Sequence, residues 1–461
     1  MNPFTGSLKY LSANLYNSLL ALVFYLLLAR YLTPIYLGEI ALIQLLASLI
    51  TSVLAVMPTN LIMREVSHDL TAGRGLAVAE VSLIFPAIIA PALLIFVFFP
   101  KYVLISLPYF FLTIYTFYQQ AVLSGMGKFN EANIGLIISS SFRYGLAVIG
   151  IIFRNIDLII LFWTLGALAS LIYYSEKIRV KPRWHFKEFK AVALAGLPIY
   201  LNGVISFISS QGDRVVTYAL LGAYFFGIYQ LAAMISTVPP IMINSISSAI
   251  LPASTFYYVK GKSITQMSSL TFRLYAIISL PLALIGYALS YPVILKLFPQ
   301  YVLGARPLEL LILFLTATMP FQSLSIFIIT AKKSYIPFLI IGSASAIEVV
   351  GASYALIPKL NVLGAAIAQS LNAVLTSALF VYFSVRQNVF VLDRKNLLAS
   401  ALIAIALMGF LGTYTWAIAL IAIIVGIKLT GILDKEDVKT VASFAPPQLK
   451  RVVGLLAVLA S

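Results

Sequence analysis

Ala191 to Ala219 reads AVALAGLPIYLNGVISFISSQGDRVVTYA, and the fold turns on how this stretch is read. It is 29 residues long, more than the ~20 a helix needs to cross the hydrocarbon layer of a bilayer. Asn202, Ser206, Ser209 and Asp213 recur at spacings of 4, 3 and 4, which on a helix sets them within about 60° of one another. One polar stripe on an otherwise apolar helix suits a position with lipid on one side and a wet interior on the other. Just before it, Glu176 to Lys190 is the longest interior polar segment and carries six Lys and Arg.

The pattern continues in both directions. Long apolar runs lie at about 8–29, 36–58, 76–99, 103–124, 133–153, 157–174, 191–219, 223–250, 264–289, 306–330, 334–356, 361–384, 397–412 and 415–430. Backbone groups in hydrocarbon must be bonded internally, and barrel strands would be shorter and alternating, so these runs read as helices. The last two are short enough to form one hairpin or one tilted helix, so the expectation is 12–14 spans. Composition agrees: 61% of the 461 residues are hydrophobic and 10% charged, against about 25% charged in a soluble domain. The apolar run after Lys9 is span-length with no small-residue cleavage site after it, so it reads as a retained first helix rather than a signal peptide.

The net charge of +16 arises from 31 Lys and Arg against 15 Asp and Glu. In a soluble chain this would suggest nucleic acid; here the cations belong to short loops that set topology. With the N-terminus inside, 22 fall on the cytoplasmic side and 6 outside, with Arg143, Arg214 and Arg273 within spans. With no Cys and two His, disulfides, thiolate metal sites and Cys nucleophiles are excluded, and a His-based metal site or triad has little to build on. No catalytic residue, metal or cofactor is expected. The domain reading is an N-lobe at 1–175, a basic cytoplasmic linker at 176–190, a C-lobe at 191–385, two further helices at 386–430, and a tail at 431–461. The tail's Gln448 to Ala460 reads as an interfacial helix.

A faint duplication supports two lobes. Tyr36-Leu-Gly38 resembles Phe226-Gly227-Ile-Tyr229, and Leu123 to Arg154 can be laid on Ile328 to Lys359 without gaps, setting Lys128 over Lys333 and Arg143 over Glu348. Six spans per half give both halves the same orientation, related by an axis along the membrane normal. The expected fold is therefore all-α and polytopic, two six-helix lobes around a central cavity plus the two C-terminal helices.

Ionisable residues at membrane depth are the sharpest site signal, since each costs about 2.5–3.5 kcal/mol at mid-span on lenient scales. Arg143 lies about 15 Å into its span, on a face with Ser140, Ala147 and Gly150 that leaves room for a guest. Glu348 lies ~21 Å into its own span beside Ser345 and Ala352. Either the two neutralise each other, or both border a cavity in which the guanidinium can take phosphate oxygens. Asp213 and Arg214 sit near the outer boundary as a local ion pair, a gate or a binding element. Arg273 lies in the inner half of its span. Arg64, beside Glu65, is either a greeter for a cytoplasmic anion or a positive-inside anchor. Asn14 and Asn17 head a stripe with Ser18 and Tyr25, Gln44, Ser48 and Thr51 form another, and Asn202 belongs to the first stripe described. Such residues can line a hydrated cavity or glue helices together. Pro198, Pro239, Pro240, Pro281 and Pro320 can hinge helices, and Ser124 to Phe129 is a tight cytoplasmic turn rather than a phosphate-binding loop.

Several short motifs then fall into a family order. Gly196-Leu-Pro198, Asp213-Arg214, Leu221-Gly222, Gly227-Ile-Tyr229 and Pro252 resemble the second half of polysaccharide flippases of the multidrug/oligosaccharidyl-lipid/polysaccharide (MOP) exporter superfamily. Asn14, Arg30-Tyr-Leu-Thr-Pro34 and Tyr36-Leu-Gly38 resemble the first half. The resemblance implies alternating access in the cell membrane and export of a polyprenyl-(pyro)phosphate-linked oligosaccharide to the outer leaflet, with intramembrane cations such as Arg143 taking the phosphate. Its partners would be that lipid-linked substrate and membrane lipids, not nucleic acid, with H⁺ or Na⁺ open as a coupling ion. Two alternatives compete. A cation-coupled multidrug antiporter needs a buried carboxylate, for which Glu348 is the mid-depth candidate; a membrane glycan polymerase or ligase would need a sizeable outer loop, and the outer loops are short.

Overall fold

The computed structural model describes residues 3–68, 73–241, 243, 263–332, 336–412 and 414–432. Among them the chain is helix and short connection, with no strand. The expected tail helix at 448–460, Pro252, Lys333 and the distal part of the 223–250 span lie outside the described residues, as does the side chain of Asn14. The chain separates into two compact units: residues 1–211 with 221–231, and residues 212–220 with 232–461.

The first unit begins with α1 (Pro3–Tyr31), α2 (Pro34–Val53), α3 (Thr59–His68) and α4 (Arg74–Ile89). A 3₁₀ stretch (Ala90–Phe98) follows, then α5 (Lys101–Ile105) and α6 (Leu107–Gly125). The next apolar run is helical over α7 (Phe129–Ser140), passes through a π-helical turn (Ser141–Leu146) and resumes as α8 (Val148–Ile152). α9 (Ile156–Lys177) packs along α6 and α7. Small residues permit that approach: Ser170 Oγ donates to Gly135 O at 2.7 Å and Tyr174 Oη to Ala132 O at 2.9 Å. The polar linker is held to α4, where His185 Nε2 lies 2.6 Å from Glu80 Oε2 and Phe189 stacks on Phe85.

α10 (Phe186–Ile235) is a long helical run broken at Gly222, whose φ of 73° admits a turn that a Cβ would strain. The sequence boundary between the spans 191–219 and 223–250 falls at this break. Beyond it, Gly227 meets α2 backbone to backbone: a Cβ on Gly38 would stand 1.9 Å from Ala223 O, and one on Gly227 1.9 Å from Pro34 O. Tyr36-Leu-Gly38 and Gly227-Ile-Tyr229, read from sequence as equivalent pieces of a duplication, are thus partners in one helix crossing.

The second unit is organised on α11 (Ile264–Leu297), against which α12 (Ala305–Ala317) lies closely. α13 (Met319–Gln322) and α14 (Leu324–Lys332) continue the same apolar run in pieces. α15 (Ile336–Leu360) and α16 (Val362–Arg386) form a tight antiparallel pair in which Ser345 Oγ donates to Asn372 Oδ1 at 2.7 Å. α17 (Arg394–Leu407) and α18 (Thr415–Thr430) are two separate helices that share an apolar core with α11, including Phe272, Leu280, Leu402 and Ile423. They are therefore neither one tilted helix nor a peripheral addition.

Asn396 pins this core. It is fully buried, its Nδ2 donating to Ser269 Oγ at 2.8 Å and to Val391 O at 2.7 Å, while Asp393 caps α17 by accepting from Asn396 N at 2.8 Å. Asn396→Leu removes both side-chain donations and strands their acceptors, partly offset by removing an Oδ1 that is buried without a partner among the described residues, so a net loss of about 1–3 kcal/mol is expected. It would be read as a lowered thermal midpoint in detergent; an unchanged midpoint would mean the amide contributes nothing to the packing.

Among the described residues, nine helices are long and apolar enough to cross a membrane, with shorter apolar helices at Tyr16–Tyr31, Met319–Ile328 and Thr415–Leu429. The layout of 12–14 runs is larger because several are interrupted. The run expected at 306–330 is divided at Thr318 and Ser323, and Phe186–Ile241 counts as one helical stretch where the sequence reads two.

Candidate functional site

Arg143 is positioned by the π-helical turn. In the apolar span Phe129–Ile152 the i→i+5 pattern over Ser141–Leu146 adds a residue to the turn and re-aims side chains relative to the α-helical register of α7. Across the turn lies α9, whose Gly166 comes so close that a Cβ there would stand 2.8 Å from Phe142 Cβ and 2.9 Å from Ser139 O. That approach delivers Trp163 to Arg143. The guanidinium carbon lies 4.7 Å from the Trp163 ring centre, 5.0 Å from Tyr144 and 5.3 Å from Tyr109.

The rings form a continuous cluster. Phe24 packs edge-on against Tyr25 at 5.4 Å and tilts against Tyr144 at 5.7 Å, and Tyr109 meets Trp163 at 5.5 Å. Each ring face can attract the cation by ~0.5–2 kcal/mol, the larger value holding where water is excluded. Faces accept no in-plane N–H, however, and the guanidinium has five. Among the described residues Arg143 Nε is buried without a hydrogen-bond partner, and so is the indole Nε1 of Trp163. Arg143 makes no ion pair among the described residues. The residue as a whole keeps partial exposure. Among the described residues the cage is rich in donors and in positive charge, and its acceptors are neutral tyrosine hydroxyls, with no carboxylate paired to the guanidinium, so an anion suits it.

The small face beside Arg143 does something other than leave room. Ser140 is buried, donating to Asn17 Oδ1 at 2.7 Å and to Leu136 O at 2.8 Å. Ala147 is fully buried, and a Cβ on Gly150 would meet Ile159 Cγ1 at 2.6 Å. Small side chains admit α1 and α9, and those helices fill the space a guest would have used. The span-one stripe serves the same end. Tyr16 Oη lies 2.9 Å from Ser141 Oγ, and Tyr25 Oη donates to Gln44 Oε1, joining the first stripe to the second.

The other residues singled out from sequence are spread over both units. Arg64 stands on the short α3 with its side chain 63% exposed, 2.8 Å from Glu65 Oε1, while Arg74 reaches Glu65 Oε2 at 3.0 Å. Asn202 is partly exposed on α10. Asp213 is buried, with Thr217 Oγ1 donating to its carbonyl at 2.6 Å, and Arg214 is partly exposed. Arg273 is buried in α11. Glu348 is partly exposed on α15, with Oε2 buried and lacking a hydrogen-bond partner among the described residues. Of these, Asn17 is drawn to the neighbourhood of Arg143 through Ser140. What sequence reading misses is the cage itself; the one signal was Trp163, one of three Trp in the chain.

Interrupted apolar helices, a caged cation and glycine-mediated crossings are those of a multi-pass membrane protein. The chain belongs to the polysaccharide biosynthesis protein family, whose sequence profile matches residues 5–257, more than half of its length. Among solved structures, the lipid II flippase MurJ in an inward closed conformation superposes with a TM-score of 0.70 at 17% identity, covering 97% of this chain and 99% of that one. An inward-facing multidrug resistance MATE family transporter of the MOP superfamily matches with a TM-score of 0.64 at 16% identity, covering 81% of this chain and 94% of that one. An outward-facing member of the MATE family gives 0.56 at 14% identity, covering 84% and 96%. No curated protein matches by sequence. At such identities the structural likeness establishes the shared fold.

Proposed function

We propose that the protein is a flippase, not an enzyme, that moves a lipid-linked oligosaccharide from the inner to the outer leaflet of the cell membrane. The observation that carries this reading is the Arg143 cage. A cation held at membrane depth by aromatic faces, with Nε and the neighbouring indole N–H unmatched, calls for an anionic acceptor that the described residues do not supply. A carrier-lipid phosphate fits: it offers several acceptor oxygens in guanidinium geometry, and its acyl chain can stay in the bilayer.

Family membership supports a polysaccharide precursor as the cargo, and the fold shared with the lipid II flippase MurJ supports a lipid-linked one. The excess of Lys and Arg on one side supports a cytoplasmic N-terminus. Arg273, Arg64, Asp213, Arg214, Glu348 and the amides of Asn14, Asn17 and Asn202 are the further candidates for contact along the route. Glu348, whose Oε2 has no hydrogen-bond partner among the described residues, keeps an H⁺- or Na⁺-coupled antiporter as the second reading, with exchange at a buried carboxylate.

Depletion of the protein decides between them. The flippase reading expects a phosphate-linked glycan to build up on the inner leaflet, seen as lipid-linked sugar inaccessible to a glycan-binding probe added outside. An unchanged leaflet distribution, together with loss of cation-driven drug efflux, would replace the flippase by the antiporter.

A further inference from the structure

The second unit contains a cavity of about 280 Å³ at the broken helix, lined among others by Tyr275 from α11, Met319, Gln322 and Ser323 from the α13 segment, Ser325 from α14 and Phe380 from α16. The break has a local cause. Pro320 carries no N–H to continue the ladder. Thr318 and Ser323 turn their hydroxyls onto their own backbone, Thr318 Oγ1 donating to Phe314 O at 2.7 Å and Ser323 Oγ to Pro320 O at 2.6 Å. Irregular backbone at membrane depth is tolerated where it lines a cavity, and interrupted helices are where transporters place their ligands.

The lining narrows the ligand. Tyr275 is 1% exposed and closes the cavity with its ring, its hydroxyl being buried with no free surface. The polar groups that a ligand can reach are therefore the Gln322 amide and the Ser325 hydroxyl, both at partly exposed positions. None of the lining residues among those described is charged, so a phosphate or a bare cation would lose hydration without a counter-charge. An acyl chain would leave the Gln322 amide and the Ser325 hydroxyl facing hydrocarbon. A sugar ring meets both demands: hydroxyls around its edge that donate and accept, and a C–H face for Phe380 and Met319. The volume lies just below the ~300–1,000 Å³ typical of drug-sized ligand sites, which suits one ring and not a chain of them.

We infer that this cavity is a binding subsite for a single uncharged sugar ring, chemically distinct from the anion site at Arg143. Its biological meaning rests on the flippase reading, but its chemistry can be tested without transport. The test is saturation-transfer NMR on the full chain in a sugar-free amine-oxide detergent, with methyl glycosides of glucose, galactose, mannose and N-acetylglucosamine as probes. At least one glycoside is expected to receive saturation from the wild-type protein. Gln322→Leu and Ser325→Ala should each weaken its binding roughly tenfold, the equivalent of one hydrogen bond. Gln322→Met, at a partly exposed position, takes the place of either variant that fails to fold.

No transfer to any glycoside, or equal transfer in the cavity variants, overturns the inference. Transfer confined to detergent or lipid chains does so too, by assigning the cavity to an acyl tail. The two readings fail separately. Glycoside binding without inner-leaflet accumulation on depletion leaves the subsite and removes the flippase; accumulation without glycoside binding does the reverse.

Discussion

Arg143→Ala is expected to slow inner-to-outer transfer of the lipid-linked glycan about 100-fold or more in reconstituted vesicles, with the protein still folded. Two charge-assisted hydrogen bonds to phosphate, at about 1.5–3 kcal/mol each, would be lost, and every 1.4 kcal/mol is about tenfold. Stability should change far less. The substitution forfeits the attraction to Trp163, Tyr144 and Tyr109, but also removes a buried, unmatched Nε, and these two effects oppose one another. Arg143→Lys should fall between, because an ammonium keeps the charge and loses the planar fork. A variant that transports normally while its thermal midpoint drops would mean that the cage is structural and the phosphate is held elsewhere.

Gly38→Val is expected to cost more folding free energy than either Asn396→Leu or Arg143→Ala. Its Cβ would stand 1.9 Å from a backbone oxygen, Ala223 O, and that atom has no rotamer by which to withdraw. Overpacking costs about 1–3 kcal/mol where side chains can adjust; here a helix must move, so the loss should exceed that range. Gly227→Val should do the same through Pro34 O. The expected result is little monodisperse protein by fluorescence-detected size exclusion. Gly38→Ala brings the same Cβ and should lose most of the same stability, and an unaltered thermal midpoint in that variant would show that the crossing opens at no cost.

The duplication read from sequence has a counterpart that the glycine motifs alone did not suggest. The offset that lays Arg143 over Glu348 also lays Ser140 over Ser345, and each serine donates to an Asn Oδ1 at 2.7 Å, Asn17 in one unit and Asn372 in the other. Serine is therefore an interhelical tie in both places. That is the gluing alternative, and it applies to Tyr25, Gln44, Asn17 and Ser140, whereas Ser206 in the α10 stripe remains exposed. Periodicity marks which face of a helix is polar, but it carries no information on whether a partner helix or water will meet that face.

Helicity, membrane residence and the division of α10 at Gly222 were legible from residue order alone. Hydrocarbon leaves an apolar backbone no option but to bond within itself, and a Gly between two such runs supplies the φ that a turn needs. The surroundings of Arg143 were decided elsewhere. Tyr109 and Trp163 stand 34 and 20 residues away along the chain, and they reach the guanidinium because a π-helical turn shifts its aim and Gly166 lets α9 close in. The same close packing turned Ser140, Ala147 and Gly150 from apparent room into contact. Spacing along one helix reports that helix's own faces; what fills the volume beside a small residue is settled by the neighbour that arrives there.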